Sequence, residues 1–316
     1  MWISLGLIAL GLTVLILGGE FLVKGAVGIA AKARLSTLVI GMTVVSFGTS
    51  APELLVSLKA AFLEVPEITI GNVIGSNIAN IALVLGVTAI IFPMPVSRNS
   101  IIIDWPMMLI SGLLFFLFGW MGTIERWHGI LLFTILVLFV WYLIYNSRKK
   151  NKRKKASDET TENSANAKKF NVYLSSFYLL LGLVGLYFGA KWLIEGATQL
   201  GEFYGLSKHV IAITVVAFGT SVPELATSVV AAYKKEMDIS VGNLIGSNIF
   251  NVMCVIGITA MVFPITVEAA VVSWDMLWML AIYIALLPMM LIKRKIGRIS
   301  GIILLGTYIT YIYLLF

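Results

Sequence analysis

The chain contains itself twice, and that limits its architecture more than any other feature. Residues 43–53 read TVVSFGTSAPE and residues 214–224 read TVVAFGTSVPE, identical at nine of eleven positions. Residues 71–80 read GNVIGSNIAN and residues 242–251 read GNLIGSNIFN, identical at eight of ten. One displacement, 171 residues, superposes both pairs and also matches Gly86 with Gly257, Pro93 with Pro264 and Asp104 with Asp275. A constant displacement over that distance marks an internal duplication.

Each copy is too apolar to be a soluble domain. Of the 316 residues 59% are hydrophobic and 12% charged, about half the charge of an ordinary soluble chain. Apolar runs fall at roughly 2–30, 37–62, 68–92, 101–121 and 127–146, then at 171–198, 208–233, 239–262, 272–292 and 298–315. Each approaches or exceeds the ~20 residues of a spanning helix. None alternates with the period of two that a barrel strand needs, so strands are not expected. The first run lacks the basic flank of a secretory signal and reads as a span. The expected fold is all-α, a polytopic membrane protein of ten transmembrane helices. A five-helix repeat over 1–146 and another over 170–316 flank a basic linker, 147–169. Five is odd, so the two copies cross the membrane in opposite directions, the inverted repeat common among secondary transporters.

Charge placement orients the chain. With the linker in the cytoplasm, 19 of the 23 basic residues fall inside, and Lys59, Arg126, Lys191 and Lys208 fall outside. That bias obeys the positive-inside rule and puts both termini outside. The net charge of +7 thus faces membrane lipid and needs no nucleic acid. A single cysteine, Cys254, excludes an internal disulfide, and two histidines, His128 and His209, leave little for a zinc centre. No HExxH, GxGD or Ser–His pairing lies in a span, so an enzyme is not expected, nor a cofactor. Glu64, Glu67, Glu125, Glu268 and His128 sit near outer ends as expected solvated flanks, and Glu20/Lys24 and Lys191/Glu195 are spaced for local ion pairs.

The duplicated segments have the chemistry of a cation site. Pro52 lacks an amide hydrogen and clashes with the carbonyl four residues back, and Gly48 weakens the helix before it. Carbonyls near Ser46 to Thr49 therefore lose helical partners, which a membrane interior tolerates only where protein, water or an ion satisfies them. Glu53 follows the break, and an ionisable group inside a span marks a functional site by default. Gly219, Thr220, Ser221, Pro223 and Glu224 repeat the arrangement. Asn72, Ser76 and Asn80 share one helical face by spacing, as do Asn243, Ser247 and Asn251. Two carboxylates with the carbonyls of Thr49 and Thr220 offer six hard oxygens, within the calcium range. Emptied of cation, two buried carboxylates must be paired, protonated or refilled, so exchange with sodium or protons follows.

These motifs resemble the alpha-repeats of the cation/calcium exchanger superfamily, most closely its sodium/calcium branch. The paired GTS-x-PE and GN-x-IGSN-x-x-N elements carry the resemblance, which covers nearly the whole chain. The calcium/proton branch carries a GN-x-x-E element instead. The resemblance implies a sodium-for-calcium antiporter working by alternating access in the plasma membrane, functional as a monomer. It implies Glu53 and Glu224 as central ligands of calcium and sodium, with oxygens from Thr49 and Thr220. It implies sodium sites completed by Ser50, Ser221, Ser76 and Ser247 and by the carbonyls of Ser46 and Ala217, with Asn80 and Asn251 at the middle. Several relatives carry Asp where this chain has Asn251, which lowers the formal charge of the centre here. The resemblance further implies that the first and sixth spans slide across the core, their glycines making smooth surfaces. Static packing is an equal use of those glycines. A proton-coupled exchanger of calcium or another divalent cation is the alternative, and a passive channel a third reading.

Overall fold

The computed structural model describes residues 2–157, 171–204, 219 and 221–315. Among the described residues eight helices are long and apolar enough to span, nine spans if a pair bent at a break is taken as one. In chain order they are α1 (Trp2–Ala33), the bent pair α2 (Thr37–Thr49) and α3 (Ala51–Phe62), α4 (Pro66–Ile91), α5 (Ser100–Trp120) and α6 (Arg126–Ser157). The second half has α7 (Val172–Phe203), α8 (Val222–Tyr233), α9 (Met237–Val262), α10 (Ala269–Arg294) and α11 (Arg298–Leu315). The seventh expected span, 208–233, is described at 219 and from 221 onward; its remainder lies outside the described residues.

Two differences from the sequence expectation have plain causes. Helix α6 runs through Ser157, into the segment assigned to the linker, because Arg, Lys and Ala are good helix formers and a basic C-terminal turn complements the helix dipole. Four two-residue strands also form: β1 (Met94–Pro95), β2 (Thr123–Ile124), β3 (Ile265–Thr266) and β4 (Lys295–Ile296). They pair antiparallel as β1 with β4 and β2 with β3. Each ribbon joins an inter-helix loop of one half to a loop of the other, so the paired loops share a side of the membrane. Runs of two residues carry no periodicity for a sequence to display.

The duplication is legible in the backbone. Glu64 and Lys235, 171 apart, both adopt positive φ (58° and 64°) in the turns after α3 and α8. Helices α4 and α9 are the central pair, with 72% and 83% of the residues buried in the most apolar 18-residue stretch of each. Helix α9 lies backbone-close on α2: a Cβ on Gly41 would stand 2.8 Å from the Ile239 carbonyl, and one on Gly242 2.7 Å from that of Leu38.

Helices α1 and α7, each 32 residues, are about 48 Å long and outreach a ~30 Å hydrocarbon core. They pack antiparallel along glycines seven apart: Gly11, Gly18 and Gly25 on α1 and Gly182, Gly189 and Gly196 on α7. A Cβ on Gly11 would meet Leu193 N at 2.7 Å, one on Gly18 Leu186 N at 2.8 Å, and one on Gly196 the Ser4 carbonyl at 2.7 Å. These glycines thus serve the contact between the two long helices. Gly19 is the one turned to the core, toward Val230 of α8. The expected local ion pairs are not present: Glu20 pairs with Lys234 at 3.1 Å, and the Lys24 ammonium sits over the Tyr178 ring at 4.3 Å. Tertiary partners displace an exposed i,i+4 pair because that pair contributes only a few tenths of a kcal/mol. His128 is likewise not solvated. It is buried, stacked on Phe118, and its Nδ1 accepts from the Glu125 amide at 2.9 Å.

Candidate cation site

The break at Ser50 makes the site. Helices α2 and α3 meet there at 41°, with Ser50 at φ −85° and ψ 0°. Pro52 lies in the first turn of α3 and Pro223 in the first turn of α8. Glu53 and Glu224 also occupy those first turns, where the positive end of the helix dipole favours a carboxylate. Both are fully buried, and they lie close enough to interact electrostatically.

Most of the residues expected from the motifs are buried as they are. Ser46, Thr49, Ser50, Ser76, Asn80, Ser221, Ser247 and Asn251 are all buried. Ala217 and Thr220 lie outside the described residues. Buried polar atoms in proteins are nearly always hydrogen-bonded. Among the described residues, 14 buried side-chain nitrogen and oxygen atoms have no protein partner, and ten belong to this set: both oxygens of Glu53 and of Glu224, the hydroxyls of Ser50, Ser76 and Ser221, both amide atoms of Asn80, and Asn251 Oδ1. Nine of the ten are oxygens, the donor type of calcium and sodium sites.

Three hydroxyls have other work. The Ser46 hydroxyl donates to the Gly41 carbonyl at 2.7 Å, with the Asn243 carbonyl at 3.0 Å, so it ties α2 to α9. The Thr49 hydroxyl lies 3.2 Å from Asn243 Oδ1 and 3.3 Å from the Ser247 hydroxyl. The Ser46 carbonyl is not orphaned by the break: it accepts the Ser50 amide at 2.9 Å, and the Thr49 hydroxyl lies 3.3 Å from it. Asn243 shares its face with Ser247, both meeting the Thr49 hydroxyl, and the amide nitrogens of Asn72 and Asn243 also brace neighbouring helices. Asn72 Nδ2 donates to the Ser57 hydroxyl (3.2 Å) and Asn243 Nδ2 to that of Ser228 (3.4 Å). These bonds, 171 residues apart, clasp α3 to α4 and α8 to α9.

Sequence reasoning missed a second layer. Asn251 Nδ2 donates to Asn77 Oδ1 at 3.1 Å, and the Tyr283 hydroxyl donates to Asn248 Oδ1 at 2.9 Å. Asn77 and Asn248 were readable as identical residues within the duplicated GSN triplets; helical-face spacing hid them. A π-helical turn at Ala79–Leu85, with its counterpart at Asn251–Ile256, changes the register from where Asn80 and Asn251 stand. Such turns recur at functional sites.

The family described as "Sodium/calcium exchanger protein" matches residues 3–145 and again 174–316. The chain belongs to that family. The two matches are the two repeats, and the linker falls between them. Among curated relatives, the putative antiporter CaxA of Alkalimonas amylolytica is 37% identical over 314 residues, covering 98% of this chain and 97% of its own. The sodium/calcium exchanger MaX1 of Methanosarcina acetivorans is 31% identical, covering 98% and 97%. Among solved structures, the sodium-calcium exchanger NCX_Mj superposes with a TM-score of 0.81 at 31% identity, covering 99% of both chains. The exchanger fold, a multi-pass all-α membrane protein, is therefore the fold of this chain, in which the first GTS-x-PE element bends its site helix.

Proposed function

We propose that this protein exchanges sodium for calcium across the plasma membrane by alternating access at the Glu53–Glu224 centre. The observation that carries the proposal is the cluster of unpartnered buried oxygens, supplied by both inverted halves and by few other residues. Two carboxylates neutralise one calcium ion. The same carboxylates, with the Ser50, Ser76, Ser221 and Ser247 hydroxyls and the amides of Asn80 and Asn251, hold sodium once calcium has left. Carbonyls of Thr49, Thr220, Ser46 and Ala217 complete the set in this reading.

Basic residues crowd one side, so the linker lies in the cytoplasm and both ends of the chain outside. The working unit is one chain, 1–146 and 170–316 being its two repeats around 147–169, with lipid as its surroundings. Both ribbons join loops that this topology places on one side. The transported ions are substrates, and the chemistry is binding and release with no covalent step.

Calcium uptake into proteoliposomes loaded with sodium and diluted into sodium-free buffer tests the proposal. Uptake that requires internal sodium and survives a proton ionophore is the expected result. Uptake that ignores sodium and follows an imposed pH gradient would overturn it in favour of proton coupling. Sustained calcium current without a counter-ion would mean a channel. In the same assay Asn251→Asp, which restores a third carboxylate, is expected to change the sodium or potassium dependence of exchange. Unchanged dependence on both ions would remove this position from the coupling.

A further inference from the structure

The two central amides are repeat mates, yet they are held differently. Asn251 is locked: its Nδ2 donates to Asn77 Oδ1 at 3.1 Å, and its Oδ1 has no partner among the described residues. Asn77 is turned in its own right, with Nδ2 3.7 Å from the Met279 sulfur, an atom that can only accept. Asn77 therefore presents its oxygen to Asn251, and Asn251 must answer with its NH2 group. The mate of this bond would join Asn80 to Asn248, and it does not form. Asn248 is fully engaged, accepting from Tyr283 and donating to the Leu244 carbonyl at 2.7 Å, while both amide atoms of Asn80 are unpartnered. The repeat mate of Tyr283 is Gly112, and the Tyr283 ring packs over that glycine: a Cβ there would meet the ring at 3.1 Å.

We infer that Asn77 is a positioning residue that commits Asn251 to act through its carbonyl oxygen, leaving Asn80 as the central amide free to turn. The inference rests on the cation-site reading above. An amide beside two carboxylates can help a cation with its oxygen, or compete with it by donating NH2 to a carboxylate. Holding Asn251 Nδ2 elsewhere removes the competing pose. Asn80 keeps both: oxygen toward a bound cation, NH2 toward Glu53 or Glu224 when the cation has gone.

The test is a double-mutant cycle on sodium-dependent calcium uptake in proteoliposomes, reading half-saturating calcium and maximal rate separately. Asn77→Ala and Asn77→Leu have opposite packing errors and share the lost amide, whose oxygen is the acceptor for Asn251. Each is expected to raise half-saturating calcium about tenfold, with maximal rate within about twofold. In an Asn251→Ala background neither is expected to raise it further, since no amide remains to be oriented. Shifts that add in full to that of Asn251→Ala, an unchanged half-saturation, or loss of folded protein in both Asn77 variants would each overturn the inference and assign Asn77 to packing. A wild-type protein that moves no calcium would instead overturn the reading of the site, and this inference with it.

Discussion

Glu53→Gln and Glu224→Gln are each expected to abolish sodium-dependent calcium flux while the protein still inserts and folds. Glutamine keeps the volume and one oxygen and removes the charge. A divalent cation in a buried site then has one formal negative charge where it needs two. Removing one partner of a buried ion pair costs about 3–5 kcal/mol, which is roughly a hundredfold or more in affinity. Folding should survive, because a neutral amide is cheaper to bury than a charge. Flux in proteoliposomes and gel-filtration profiles of the purified variants check the two halves of this expectation. Flux retained at the wild-type level in either variant would remove that residue from the centre.

The second large effect is expected on the seam between the two long helices. In Gly18→Leu or Gly189→Leu the new Cβ alone would stand 2.8 or 2.9 Å from atoms of the opposite helix, and the rest of leucine has nowhere to go. The helices must separate, forfeiting the close packing that drives helix association in lipid. Overpacking costs about 1–3 kcal/mol where a core can adjust, and a backbone-to-backbone contact adjusts less. Both variants should show a large fall in thermal stability and in flux. Gly6→Leu is the control: nothing lies within 4 Å of its Cβ position among the described residues, so stability and flux should match the wild type. Equal behaviour of all three would mean that the close approach of α1 and α7 does not matter to the fold.

Much of this was legible in the sequence, and the reasons differ by feature. The spans were readable because hydrocarbon demands long apolar runs, and the inversion because an odd number of spans is duplicated. Glu53 and Glu224 stood out because a carboxylate beside a proline break has few structural excuses, and the structure buries both. Spacing put Asn243 on the face of Ser247 but could not give what its amide nitrogen, or that of Asn72, packs against. Asn77 and Asn248 were overlooked because they lie off the face marked by the i, i+4, i+8 spacing of the other motif residues. Glu20 was paired with Lys24 by spacing, whereas Lys234 reaches it from a turn more than 200 residues away. The four short strands left no trace, being made by which loops meet rather than by what they contain.

Those ribbons bear on how such a chain can arise. Under the displacement of 171, β1 maps onto β3 and β2 falls within one residue of β4. Each ribbon therefore joins one strand of each kind. A half-length ancestor inserted both ways up would have formed both ribbons between two identical copies, with no new contact needed. Fusion through a linker then made the partnership permanent and let the copies drift apart, as at Gly112 and Tyr283. The present asymmetry of the centre is, on this view, what gene fusion permits and a homodimer forbids.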